Sequence, residues 1–153
     1  QECAAVWRFA LCAPAAADAG PAPVFQAKAV ESALARNLSM AESQHEIVLI
    51  LLKKKEFAQA FAEADKIFQM EWPANEEPRL LKEILGLSGQ FLKNDQGPLG
   101  LQLLEKNLKI FKVHQHQAAI WKEMGYLHKT AGNDDRALEC FKKAQQLEKS
   151  SPE

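Results

Sequence analysis

The sequence predicts an all-α fold built from antiparallel helix pairs, and three observations carry that expectation. Composition is the first. Ala, Leu, Lys, Glu and Gln are abundant, β-branched runs are few and there is a single Tyr, a balance that favours helix over sheet. The second is residues 118–149, where an apolar stripe, a break at Gly132 and another apolar stripe follow one another at helical spacing. The third is that weaker versions of this arrangement recur at residues 41–73 and 80–111.

In chain order, residues 1–22 read as an N-terminal segment and linker, and residues 23–153 as the helical domain. Residues 1–12 are apolar and short, with Val6, Trp7, Phe9 and Leu11, and Ala13–Pro23 is Ala/Pro-rich, its prolines discouraging regular structure. Val24–Leu38 then carries Phe25, Val30, Ala33, Leu34 and Leu38 on one side, with Pro23 suited to a first turn, so an extra helix is expected over 24–38. Ser39 and Glu42 form a capping box before Ile47, Val48, Ile50 and Leu51, which predicts a fresh helix start there. A polar break at Lys53–Glu56 ends it, and Ala60, Ala64 and Ile67 stripe its partner. In the next pair Ile84, Leu87, Ser88 and Phe91 mark the first helix, and Gly100, Leu104 and Asn107 the second. The turn between them holds Asn94, Asp95, Gly97 and Pro98.

The last pair is the clearest. Trp121, Met124, Gly125 and His128 are followed by Gly132 and then by Ala137, Phe141 and Ala144. Gly125 lets two helices approach where a side chain would collide, Gly132 suits the left-handed residue that ends a helix, and Asn133, Asp134 and Asp135 offer capping oxygens. This run resembles the tetratricopeptide (TPR) pattern W-x₂-L-G-x₂-Y…A-x₃-F, with Met124 in the Leu slot and His128 in the Tyr slot. An ordinary helical hairpin is the competing account, and the in-register turn glycine argues against it. The resemblance covers about two thirds of the chain, with one good repeat and two degenerate ones starting near Ala41, Leu81 and Ala118. Both steps exceed the usual length of about 34 residues. The surplus falls in Trp72–Pro78 and around Val113–Gln117, where long connecting loops are expected.

The resemblance implies a right-handed superhelical stack, a TPR-like α-solenoid, because one helix pair cannot bury its own apolar face. It also implies a protein-interaction scaffold or adaptor that takes a partner segment in a concave groove lined by the first helix of each pair. By position in the motif, the groove residues are His45, Leu49 and Leu52, then Lys82, Leu85, Gly89 and Leu92, then Lys122, Tyr126 and Lys129. Family members that clamp a terminal carboxylate use Asn where this chain has Leu49 and Gly89, so that clamp is not expected. An apolar floor with a Lys rim suits an amphipathic helix or an extended segment carrying some acid. The same leucines could instead pack beneath the N-terminal helix. In size and repeat number the chain is also similar to three-repeat type III secretion chaperones, which gives the alternative of a chaperone for secreted subunits. A small-molecule-binding helical domain is the third possibility, for which the sequence offers no convergent polar groups.

Catalytic and cofactor chemistry find little support. No phosphate-binding glycine loop, zinc motif or hydrolase elbow is present, so no enzyme activity, cofactor or metal is expected. His114 and His116 lack further ligands at metal spacing and read as a polar inter-repeat loop, and Glu76–Glu77 as a solvated turn. His128 is expected to pack, and Cys140 to be a buried thiol. A formal net charge of −1 leaves no electrostatic footprint for nucleic acid, and no apolar run approaches the ~20 residues of a membrane span. Cys3 and Cys12 would lie about 13 Å apart on a helix, too far for a disulfide, and three cysteines do not fix the compartment. A chain opening on Gln1 is read as a processed product or a fragment. Leu138 and Leu147 on the last helix are candidates for exposure, which raises a homodimer through that helix as an expectation.

Overall fold

The computed structural model describes residues 22–150 of the chain, and their side chains from Lys28 onward. The expectations for Val6, Trp7, Phe9, Leu11, Cys3 and Cys12 lie outside the described residues. The chain divides between Ser39 and Met40 into two units, and the packing below is that of the second. The described residues form α1 (Ala22–Lys53), α2 (Phe57–Gln69), α3 (Glu77–Lys93), α4 (Gly97–Asn107), α5 (His114–Thr130) and α6 (Asp134–Ser150). Short 3₁₀ turns at Ala74–Glu76 and Leu108–Ile110 precede α3 and follow α4, and no strand occurs among the described residues.

One helix stands where two were expected. The helix over 24–38 and the one starting near Ala41 are continuous in α1, so the Ser39–Glu42 capping box starts nothing. An N-cap acts where a helix is otherwise free to end, and from Val24 to Lys53 the chain has neither Gly nor Pro to end it. The second loop also differs from expectation. His114–Gln117 open α5 rather than extending the connection before it.

Three turns share one hydrogen-bond pattern. Lys55, Asp95 and Gly132 take left-handed conformations, with φ of 64°, 62° and 87°. The next residue closes each helix by donating its N–H five residues back: Glu56 to the Leu51 carbonyl at 2.9 Å, Gln96 to Phe91 at 2.8 Å, Asn133 to His128 at 2.8 Å. This is the Schellman arrangement, which satisfies carbonyls that a helix end leaves open. The following helix then starts alike, with Ala60, Gly100 and Ala137 donating to the carbonyls of Glu56, Gln96 and Asn133. Counted from each left-handed residue, the positions four and seven earlier (Leu51, Phe91, His128 and Val48, Ser88, Gly125) are all buried. So are those five and twelve later (Ala60, Gly100, Ala137 and Ile67, Asn107, Ala144). The turns therefore set a common register for three helix–turn–helix units. Each turn is too short for its helices to do anything but fold back antiparallel.

Side chains show which helices are neighbours. His45 on α1 meets Glu83 on α3, Nδ1 to Oε2, at 2.6 Å. α3 also packs directly against α5. Among the second helices, Asp65 on α2 accepts from Lys106 Nζ at 2.7 Å and Asn107 Nδ2 at 3.1 Å on α4. Gln44 on α1 donates to the Glu63 carbonyl on α2 at 2.9 Å and also bonds its carboxylate. Phe61 on α2 sits edge-on to Phe91 on α3, centroids 6.5 Å apart. Between these layers runs one apolar cluster, from Val48 and Leu51 through Ile67, Ile84, Leu87 and Leu104 to Ile120, Met124 and Cys140. Six helices packed against one another in this way form an all-α fold compatible with a helical repeat.

Candidate partner-binding site

The first helices are neighbours, α1 meeting α3 through His45–Glu83 and α3 packing against α5. The sequence-predicted groove residues are therefore distributed over three adjacent helices. They do not all offer free surface. Leu52 is 2% exposed and belongs to the core; three residues before its turn an apolar side chain rotates inward, whereas Lys129 at the same place stays in solvent. His45 is engaged by Glu83, its Nδ1 lying 2.6 Å from the carboxyl Oε2. Lys122 pairs with Glu148 at 2.6 Å. Tyr126 is exposed but rests edge-on against Phe141, centroids 5.1 Å apart.

What remains for a partner is Leu49 and Leu85, both half-buried, the Tyr126 ring, and two cations. Lys82 and Lys129 are exposed and form no ion pair among the described residues. Leu92 belongs elsewhere. It lines a hollow of ≈ 320 Å³ with Pro98, Leu101 and Leu127, where the α3–α4 and α5–α6 turns approach. Glu123, half-buried beside this face, has its carboxyl raised by burial, with the Ser88 hydroxyl opposing.

Gly86 and Gly89 leave the α3 backbone bare. A Cβ at either would meet nothing within 4 Å, so neither glycine is required by packing. Helix-interior glycine costs about 0.5–1 kcal/mol relative to alanine. Gly86→Ala and Gly89→Ala are each expected to stabilise the chain by about that much in a denaturant titration. A loss of stability in either variant would mean that the space is filled.

The remaining polar candidates resolve differently from the sequence reading. Glu77 is buried, not a solvated turn: its Oε2 accepts from Lys112 N–H at 3.0 Å, Val113 N–H at 2.9 Å and His116 Nδ1 at 2.8 Å. His116 thus stands in the first turn of α5 and is held to the start of α3, rather than lying in a polar loop. No local motif signals this, since the partners are 35 to 39 residues apart. The repeat register would have exposed the His45–Glu83 contact, because it joins corresponding stretches of successive first helices. His128 packs, as expected, at the position of Leu51 and Phe91, with its Nδ1 buried and without a partner. The Cys140 thiol is pushed up by burial and by Glu105 and Glu139, against a smaller effect of Arg136, which disfavours the reactive thiolate.

Among the described residues no three His, Cys, Asp or Glu side chains gather as a metal cluster, and no helix is long and apolar enough to cross a membrane. Comparison of the chain with protein-family models, with curated proteins and with solved structures yields no match.

Proposed function

We propose that the chain is a TPR-like right-handed superhelical stack acting as a protein-interaction scaffold, with a partner segment held along α1, α3 and α5. The observation that supports this reading is the threefold recurrence of turn and register, together with the contacts of α1 with α3 and of α3 with α5. The partner segment lays apolar side chains over Leu49, Leu85 and the Tyr126 ring, and places an acidic group near Lys82 or Lys129. His45 and Lys122 act mainly through their own bonds to Glu83 and Glu148, setting the spacing of the helices. On this reading binding, rather than catalysis, is the activity.

The test is quantitative affinity capture from an extract of the source cells, comparing the chain with a Leu49→Ser/Leu85→Ser variant. The variant should lose a defined partner while its thermal melt keeps a single cooperative transition. Recovery of the same proteins in the same amounts by a folded variant would reject the groove.

A further inference from the structure

We infer that a hollow between α4, α5 and α6 is a binding site for a small arylalkylamine, separate from the groove. Its volume is ≈ 370 Å³, within the range of about 300–1,000 Å³ that ligand pockets occupy. Its apolar wall is Leu108, just after α4, Trp121 and Met124 on α5, and the Cys140 side chain on α6. Its polar groups are His128, Glu105, Glu139 and Arg136.

The common register shows why space is left here. Six and thirteen residues after the left-handed turn residue, the α2 unit carries Phe61 and Phe68, and the α4 unit carries Leu101 and Leu108. Four residues before it, α3 has Phe91 and α5 has His128. Phe61 meets Phe91 edge-on where α2 joins α3. Where α4 joins α5, the smaller Leu101 and His128 stand in those places and line the adjoining hollow of ≈ 320 Å³. Trp121, larger than Ile84 at the same place in α3, lines the second hollow without closing it.

The carboxylates follow the same comparison. Asp65, ten residues after its turn residue, is 9% exposed and ties α2 to α4 through Lys106 Nζ at 2.7 Å and Asn107 Nδ2 at 3.1 Å. Glu105 is its counterpart, and α6 carries Lys143 and Ala144 in the places of Lys106 and Asn107. Alanine has no donor to offer, and Glu105 stays exposed. Glu105, Glu139 and Arg136 form no ion pair among the described residues. Two carboxylates against one guanidinium leave the rim net negative. The Cys140 thiol reports that field: after burial, Glu105 and Glu139 each push it up by more than Arg136 pulls it down.

His128 adds an open polar position. It is 5% exposed, its Nδ1 is sealed from solvent, and neither ring nitrogen is hydrogen-bonded among the described residues. Buried polar atoms in folded proteins are normally bonded to protein, water or ligand. An ammonium group has donors for the carboxylates and for an imidazole nitrogen together. Its aromatic body packs on Leu108, Met124 and Trp121, and the indole also attracts the cation. An anion of the same shape meets two like charges for one opposite.

The probe is phenethylamine, titrated at neutral pH into the full chain with isotope-labelled methionine methyl groups. The Met124 signal should shift saturably in the millimolar range, with Met40 and Met70 unmoved. Hydrocinnamate and phenethyl alcohol, similar bodies with negative and no charge, should bind about tenfold more weakly or less. Glu105→Gln combined with Glu139→Gln should weaken the amine about tenfold or more without changing the melt, since both side chains are exposed. His128→Phe, which installs the α3 residue of this position, should abolish the Met124 shift. If that variant does not fold, the exposed double change carries the test alone. A Met124 signal that stays in place, that moves as readily with hydrocinnamate, or that moves undiminished in the double variant would overturn the proposal. So would equal shifts at Met40 and Met70, which mark non-specific binding. Shifts that appear only after residues 1–21 are removed would assign the hollow to the chain's own N-terminal segment and equally overturn it.

Discussion

Gly125→Val is expected to destabilise the chain by about 3 kcal/mol, the upper part of the range for forcing extra atoms into a packed interior. A Cβ at this position would stand 2.9 Å from two ring carbons of Phe141 and 3.0 Å from a third, closer than real side chains come. The ring cannot simply yield, because Tyr126 packs edge-on against it. The added atoms must push α5 from α6 or drive Phe141 off its rotamer. In a chain of this length each kcal/mol moves the melting midpoint by about 2–4 °C, so the shift is readily measured. The other two units point to the rescue. At the places of Gly125 and Phe141 they carry Val48 with Ala64 and Ser88 with Leu104, so a smaller second-helix residue accompanies any side chain in the first. Gly125→Val combined with Phe141→Ala, the first unit's pairing, should cost less than the two single changes added together. Strict additivity would mean that these two positions do not share one space.

The same pair shows why part of this fold was legible in the sequence. A glycine facing an aromatic, one helix apart from a turn glycine, is a constraint written in residue types, and Trp121 to Ala144 could be read from it. Lys55 and Asp95 hold the same turn without glycine, because the helix-closing hydrogen bond and the packing on either side impose the conformation on them. Their turns were visible only as polar breaks. Ser39 misled for the opposite reason: a capping signal is local, while helix continuation through it depends on everything from Val24 to Lys53. The face formed by α1, α3 and α5 was read by position in a motif. Position gave the helix and its side, but burial depends on the residue placed there. Leu52 is therefore lost to the core while Lys129 projects. Glu77 and His116 were illegible as a pair, since their contact exists only once α3 and α5 are neighbours.

Glu77→Ala is expected to be the other severe substitution, costing about 3 kcal/mol at neutral pH. That figure reflects hydrogen bonds to a charged acceptor being worth about 1.5–3 kcal/mol and not adding fully. One oxygen collects two backbone N–H groups and the His116 imidazole at the junction of α3 and α5, and alanine leaves all three donors without it. The pH dependence separates this account from simple loss of packing. Burial is the largest single influence on the Glu77 carboxyl and raises it. The bonds from Val113, His116 and Lys112 together outweigh burial, so the net displacement is below the ordinary value of 4.5. A carboxyl lowered by folding stabilises the folded state above its unfolded value, and that contribution fades as pH falls through the folded one. The stability difference between the parent chain and Glu77→Ala should therefore hold steady at pH well above the ordinary value of 4.5 and shrink as pH falls below it through the lowered folded value. Taking the difference removes the other acids that titrate in the same window. Paired denaturant titrations across this range decide the matter. A difference that stays constant would assign the cost to a cavity, and one that widens in acid would contradict a carboxylate held ionised by its donors.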